Sequence, residues 1–231
     1  MMKRMPSVTR ESRNTTMSEN TPRTVVKSAK NKAGQVIAKL YSDGTILIAD
    51  VRASYPHIDK MWRKNEKDTP AYSITGILPT ATHQPAIDLL LEVCDDLLKD
   101  RNKGTDIKDD LKFIRDGKPT KKPEYADAWI VASRETEKPT VLHPDKSEMD
   151  SPEEIKAEIK AGYYIDMLVQ PWWQDNEHGK RINASLRAVR LRREGPLIAE
   201  GGISKDDAIS SFDDDDEGGF GGGDDDDMGG L

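Results

Sequence analysis

A single cysteine, Cys94, in 231 residues excludes an intramolecular disulfide and any zinc site built on several cysteines. Aromatic residues are scarce at 6%. No apolar run approaches the ~18 residues of a membrane span, and no secretory apolar segment opens the chain, so a protein of the reducing cytoplasm that engages no membrane is expected. The four histidines, His57, His83, His143 and His178, are scattered without zincin spacing, and no phosphate-cradling loop is present. Neither a metallohydrolase nor a nucleotide hydrolase is indicated.

Positive charge is also missing from one place. Between Asp206 and Leu231 there are eleven carboxylates and no Lys or Arg. The whole chain carries −7, and subtracting the −11 of this tail leaves +4 for residues 1–205. A cationic body tethered to a polyanion points to a nucleic-acid binder that carries its own competitor. Within the tail, Phe212, Phe220, Met228 and Leu231 punctuate the acids Asp213–Glu217 and Asp224, Asp225, Asp226 and Asp227. A purely solvating tail needs no such apolar residues, whereas a short docking motif needs an anchor with charges to steer it.

Three regions follow. Residues 1–33 read as a disordered basic arm, with Lys3, Arg4, Arg10 and Arg13 among Ser, Thr and Asn and no apolar period; Met17 also resembles a start. Residues 34–197 read as one folded domain of about 150 residues, and 198–231 as a disordered acidic tail.

Inside the domain, β-rich runs at Val36–Tyr41 and Thr45–Tyr55 flank Ser42-Asp43-Gly44, a hairpin signal. A charged connection from Pro56 to Pro70 leads to a third strand, Ala71–Leu78. Ile87, Leu90, Leu91, Cys94, Leu97 and Leu98 recur at helical spacing between Gln84 and Asp100, which predicts a helix with Cys94 on its buried stripe. Ala128–Ser133 reads as a strand. Ser151-Pro152-Glu153-Glu154 places an N-cap, a first-turn proline and a capping-box glutamate ahead of a short helix to about Ala161, with Gly162 beyond it. Tyr163–Trp173 and Lys180–Arg193 form a long hairpin. In its second arm Arg181, Asn183, Ser185 and Arg187 alternate with Ile182, Ala184, Leu186 and Ala188, and the phase then slips, which a β-bulge or a strand end near Ala188 would produce. Past the slip, Arg190, Arg192 and Arg193 would fan over two faces.

The expected fold is mainly β: an OB-fold-like antiparallel barrel with one main helix, an inserted short helix and disordered termini. A mixed α+β sandwich is the alternative. Aromatics interleaved with cations mark the candidate DNA-binding residues in three blocks. These are Arg52, Tyr55, Lys60, Trp62, Arg63 and Lys64; then Phe113, Arg115, Lys118, Lys121 and Lys122; then Trp172, Trp173, Lys180, Arg181 and Arg187. Flat rings stack on unpaired bases whatever the base, and cations neutralise phosphates, so together they bind strands without reading sequence. Trp129 and Tyr72 read first as core, and Trp172 and Trp173 would point oppositely in a strand, leaving one of them structural. Asp109, Asp110 and Asp116 near Lys112 are the only acids that suggest a metal-dependent nuclease. The alternative to both is an interaction module working through the polyanion.

The stretches Val51-Arg52-Ala53-Ser54-Tyr55-Pro56, Tyr72-Ser73 to Leu78, Trp129 with Ser133, Gly162-Tyr163 and Ile182-Asn183-Ala184-Ser185-Leu186 resemble, in that order, the phage single-stranded DNA-binding proteins with an OB-fold core and an acidic C-terminal tail. The likeness spans about Ile46 to Leu197. It implies a factor of DNA replication, recombination and repair in the host bacterial cell. Such a protein coats single-stranded DNA, needs no cofactor, is not an enzyme, and recruits phage or host DNA polymerase, helicase/primase or recombination proteins through the tail. A homodimer through exchange of tails is open. The departure is at the terminus, where Met228-Gly229-Gly230-Leu231 stands in place of a final aromatic, so Phe220 becomes the candidate anchor.

Overall fold

The computed structural model describes residues 22–177 and 179–198. The expected arms at residues 1–21, His178, and the tail residues Phe212, Phe220, Asp224–Asp227, Met228 and Leu231 lie outside the described residues. The first element, β1 (Val25–Lys30), pairs antiparallel with β2 (Val36–Tyr41) and corrects the expectation of a structureless segment up to residue 33. Only Ala29 of β1 is buried, so the strand has no hydrophobic signature. Polar contacts at its start hold it instead: the Arg23 guanidinium lies 3.6 Å over the Tyr41 ring and 3.1 Å from Asp43.

The turn at Ser42-Asp43-Gly44 forms as expected, with Gly44 at φ +79° and Asp43 accepting the Thr45 N–H at 2.9 Å. It leads into β3 (Ile46–Trp62), which is longer than the sequence suggested. The charged connection is confined to residues 63–70, because the strand continues through Pro56. Two left-handed residues, Asp50 at φ +60° and Tyr55 at φ +48°, mark breaks in its register. The first falls where β3 slips against β8 between Ile48 and Val51, the second where it slips against β4 between Ser54 and His57. Pro56 sits inside the second break, where no ladder hydrogen bond is required of it.

The chain then runs through β4 (Ala71–Pro79), α1 (Thr80–Arg101), β5 (Ile114–Asp116), β6 (Ala128–Glu135), β7 (Thr140–Leu142), α2 (Pro152–Glu158), β8 (Tyr164–Asn176) and β9 (Gly179–Arg193). The sheet order is β5-β6-β4-β3-β8-β9-β7, with β2 also on β3. All pairings are antiparallel except β7 with β9, so the sheet is mixed where an antiparallel barrel was expected. A parallel bridge between Lys112 and Ile182 also ties the β5 side to β9.

The five strands of the OB-like core are β3, β4, β6, β8 and β9. This inverts the expected roles of the helices. α2, anticipated as an insertion, lies between the third and fourth strands where an OB-fold carries its helix, while α1 connects the second and third. The difference arises because β2 reads from sequence like a barrel strand. Ser151 caps α2, accepting the Glu154 N–H at 3.0 Å, but the Glu154 carboxylate turns to His143 Nε2 at 3.0 Å. α1 buries Ala86, Ile87, Leu89, Leu90, Cys94 and Leu98. Burial pushes the Cys94 thiol up to about 12, which leaves it inert at neutral pH. No helix among the described residues is long and apolar enough to cross a membrane.

The anticipated bulge on β9 is present: Leu168 faces Ala188 and Val169 faces Leu186, leaving Arg187 as the extra residue. A second slip at Arg192 turns Arg190 and Arg192 to the same partner, so these two arginines do not fan apart. Both contact Asp166 on β8.

After β9 the chain folds back over the start of β8. The Ile198 N–H donates to Ala161 at 3.1 Å, and Ile198 packs beside Ile77, Tyr125, Ala128 and Ile130. Gly162 makes this possible, because a Cβ there would fall 2.0 Å from the Pro196 carbonyl oxygen, at φ +98°. That oxygen is backbone, not the end of a flexible side chain. Gly162→Ala is therefore expected to cost about 2 kcal/mol or more in urea unfolding, with an unchanged m value.

Candidate nucleic-acid interface

The end of β3 with the start of β4, where Trp62 pairs with Ala71, and the β8–β9 hairpin are the two arms that border a trough of about 1400 Å³. Its floor is formed by β4 at Ser73–Thr75, β6 at Ala132–Glu135 and β9 at Arg181–Ser185. Alternation along β9 builds this floor: Ile182, Ala184 and Leu186 are buried, while Arg181, Asn183 and Ser185 face outward, as their spacing predicts. The trough is larger than the ~300–1,000 Å³ of a typical small-molecule site and open to solvent, which suits a chain rather than a compact ligand.

Each arm presents an indole. Trp62 at the end of β3 is 44% exposed and Trp172 on β8 is 43% exposed, and both line the trough. Trp62 is braced from behind by His57, ring to ring at 4.5 Å and 9°. Trp173 instead packs partly buried against the core, as expected for one member of the pair. Tyr55 reaches the trough from its left-handed bulge, with the Lys122 ammonium 4.2 Å over its ring and donating to its hydroxyl. Phe113 contributes to the lining but is 3% exposed, so its ring serves the core more than the surface.

The charges divide sharply. Arg63, Lys64, Arg115, Arg134 and Arg181 line the trough, and among the described residues none of them has a carboxylate within 4.0 Å. Arg63 and Arg134 donate to the backbone carbonyls of Glu66 and Thr69. Burial lowers the Arg115 pKa from its usual value; Tyr125 and Asp110 counter this, and the like charge of Arg181 adds to it. Two guanidiniums that disfavour each other's charge attract an anion between them. Among the described residues every arginine outside the trough except Arg52 has a carboxylate partner, Arg190 and Arg192 sharing Asp166 and Arg193 taking Asp50. Lys112 lines the trough but is committed to Asp106 at 3.0 Å and Asp109 at 3.1 Å. Asp109 and Asp116 are thus drawn into local contacts, Asp116 accepting the Lys118 N–H, Asp110 lines the trough, and no metal-holding group of three acids, His or Cys occurs among the described residues.

Of the residues singled out from sequence, Tyr55, Trp62, Arg63, Lys64, Phe113, Arg115, Trp172 and Arg181 come together in the trough. Arg52, Lys60, Lys121, Lys122, Trp173, Lys180 and Arg187 are not part of its lining. Arg52 has another task, donating to the Gly162 carbonyl at 3.2 Å and the Pro196 carbonyl at 2.7 Å, so it clamps the segment that follows β9. Lys180 donates to Asn102 at 2.8 Å, and Arg187 to Gln170. His57, Arg134, Glu135, Gln174, Asn183 and Ser185 line the trough without having been singled out as contacts. For Asn183 and Ser185 the signal existed in the β9 alternation. For His57 it was hidden, because the segment after Pro56 reads as loop.

An OB-like β barrel with an open, cationic, indole-bearing trough defines the class of groove-type barrel proteins. The chain belongs to the family described as Enterobacter phage Enc34, ssDNA-binding protein, whose model matches residues 44–220. It is similar to the solved single-stranded DNA-binding protein from bacteriophage Enc34, at 32% identity and a TM-score of 0.69 over 82% of this chain and 99% of that one. The same phage protein in complex with ssDNA gives 32% identity and a TM-score of 0.67 over 74% of this chain and 98% of that one. Its C-terminal truncation gives 32% and 0.67 over 76% and 98%. No curated protein sequence matches the chain.

Proposed function

We propose that this chain coats single-stranded DNA in phage replication, recombination and repair, holding the strand in the trough between its two arms. The observation that carries the reading is the convergence of five cations without carboxylate partners and two half-exposed indoles on one open channel. Family membership supports the same ligand. Bases stack on Trp62 and Trp172, with Tyr55 beside them, while phosphates sit against Arg115 and Arg181 and along Arg63, Lys64 and Arg134. Lys60, Lys121, Lys122 and Lys180 add charge at the margins. Binding requires no bond-making step and no cofactor, and takes place in the host cytoplasm.

The acidic tail competes for the same channel. A flexible tether raises its local concentration into the millimolar range, DNA displaces it, and the freed Phe220 and its neighbouring aspartates become available to a polymerase, helicase/primase or recombination protein. Titration of the full chain with oligo-dT, read by tryptophan quenching, is expected to give salt-sensitive binding that duplex DNA does not reproduce. Five phosphate contacts correspond to a slope of log K against log salt of about −3.5. Equal affinity for duplex would remove the single-strand reading. Changing the aspartates at 213–216 and 224–227 to asparagine is expected to tighten binding several-fold at low salt, and unchanged or weaker affinity would remove the tail's competing role.

A further inference from the structure

Three carboxylates line the trough, Asp68, Asp110 and Glu135, unexpected groups in a channel for a polyanion, and Glu135 is the one hydrogen-bonded to the outward Ser185 of β9. Glu135, at the end of β6, lines the trough beside Ser185 and keeps 19% of its side chain exposed. Its Oε1 accepts the Thr136 N–H at 2.9 Å, and its Oε2 lies 3.7 Å from Arg187 Nη1. Burial pushes the carboxyl up, but hydrogen bonds from Ser185 and the Thr136 N–H, the charge of Arg187 and the Glu137 N–H outweigh it, so the group stays ionised at neutral pH. Arg187 offsets this charge only in part. Its Nε and Nη2 are spent on Gln170 Oε1 at 3.1 and 2.7 Å, which leaves the longer Nη1 contact for Glu135.

Along β9 the outward row runs Arg181, Asn183, Ser185, so the cationic end and the Glu135 end lie about 13 Å apart, four residues of strand. A phosphodiester is drawn to the Arg115 and Arg181 end and repelled from the Glu135 end. A strand lying in the trough therefore meets Glu135 with a base edge. A carboxylate offers only acceptors, so it rewards an edge that presents N–H groups and opposes one that presents a carbonyl. Cytosine carries an amino group at the position where thymine carries O4.

We propose that Glu135 is a specificity-determining residue that makes the trough favour amino-bearing bases, cytosine in particular, over thymine. The inference rests on the reading of the trough as the strand site. The test is equilibrium titration of the full chain with oligo-dC and oligo-dT of one length, for the unaltered chain and for Glu135→Gln, whose amide both donates and accepts in the same shape. The unaltered chain is expected to bind oligo-dC on the order of fivefold more tightly, the low end for a direct base contact. Glu135→Gln relieves the repulsion and strengthens both complexes, oligo-dT more than oligo-dC, bringing the ratio below about twofold. Equal affinities in the unaltered chain overturn the proposal. So does a Glu135→Gln chain in which both affinities rise by one factor, since Glu135 is then only a charge that phosphate avoids. Failure to bind either oligonucleotide sinks the trough reading itself, an outcome distinct from binding without discrimination.

Discussion

Replacing Trp62 and Trp172 together by alanine is expected to weaken single-strand binding by about thirtyfold or more, with little change in folding stability. Stacking of a base on an aromatic side chain contributes roughly 1–3 kcal/mol, so two platforms supply at least ~2 kcal/mol, a factor of about thirty. Both indoles are more than two-fifths exposed, so their removal leaves no sealed cavity. The single substitutions are each expected to cost about fivefold or more, and their effects add unless one nucleotide bridges both arms. Neither change removes a charge, so the salt slope should stay where five cations set it while the intercept falls. Anisotropy of a labelled oligonucleotide across a salt series separates the two quantities. A loss below about threefold in the double variant would assign the binding to charge alone, and the arms would then be scaffolding.

That expectation depends on parts of the molecule legible in the sequence to very different degrees. The β9 row was readable because strand periodicity is strict: once Ile182, Ala184 and Leu186 are inward, Arg181, Asn183 and Ser185 can only be outward. The phase slip near Ala188 likewise left a bulge or a strand end as the choices, and the bulge falls one residue earlier, at Arg187. Cys94 could be placed because a thiol on an apolar helical stripe has nowhere to go but the core. β1 was hidden, since an edge strand with one buried residue is specified by its ladder and by Arg23, neither of which leaves a pattern. The extension of β3 was hidden by Pro56, which argues against a strand unless a bulge accommodates it, and the left-handed Tyr55 that does so is not a glycine. Choosing among the cations needed three dimensions. Arg52 and Arg63 look alike along the chain, yet one meets the carbonyls of Gly162 and Pro196 while the other lines the trough. The carboxylates that neutralise Arg190 and Arg193 lie 24 and 143 residues away.

Those distant pairings lead to the substitution expected to damage the fold most. Asp166→Ala should destabilise the protein by about 2–4 kcal/mol in urea unfolding. Asp166 is 3% exposed and holds four donors: the Asp50 N–H at 3.0 Å, Arg190 through Nε at 2.9 Å and through Nη2, and Arg192 Nη1 at 3.1 Å. The Asp50 amide belongs to the left-handed bulge of β3, and Arg193 closes the same knot by pairing with the Asp50 carboxylate while lying 3.7 Å over the Tyr164 ring. One carboxylate thus fixes the register of β3 against β8 and turns the β9 arginines inward. Removing one partner of a buried charge cluster costs roughly 3–5 kcal/mol when the remaining charges stay buried. Here Arg190 and Arg192 are 29% and 40% exposed, so water recovers part of that cost, and the lower range applies. Asp166→Asn keeps an acceptor for the Asp50 N–H and is expected to lose about half as much. The trough lies on other faces of β4, β6 and β9, so the affinity of the folded fraction for oligo-dT should not change. A loss under about 1 kcal/mol for Asp166→Ala would mean that the arginines are solvated surface groups and that the bulge at Asp50 is held by the ladder alone.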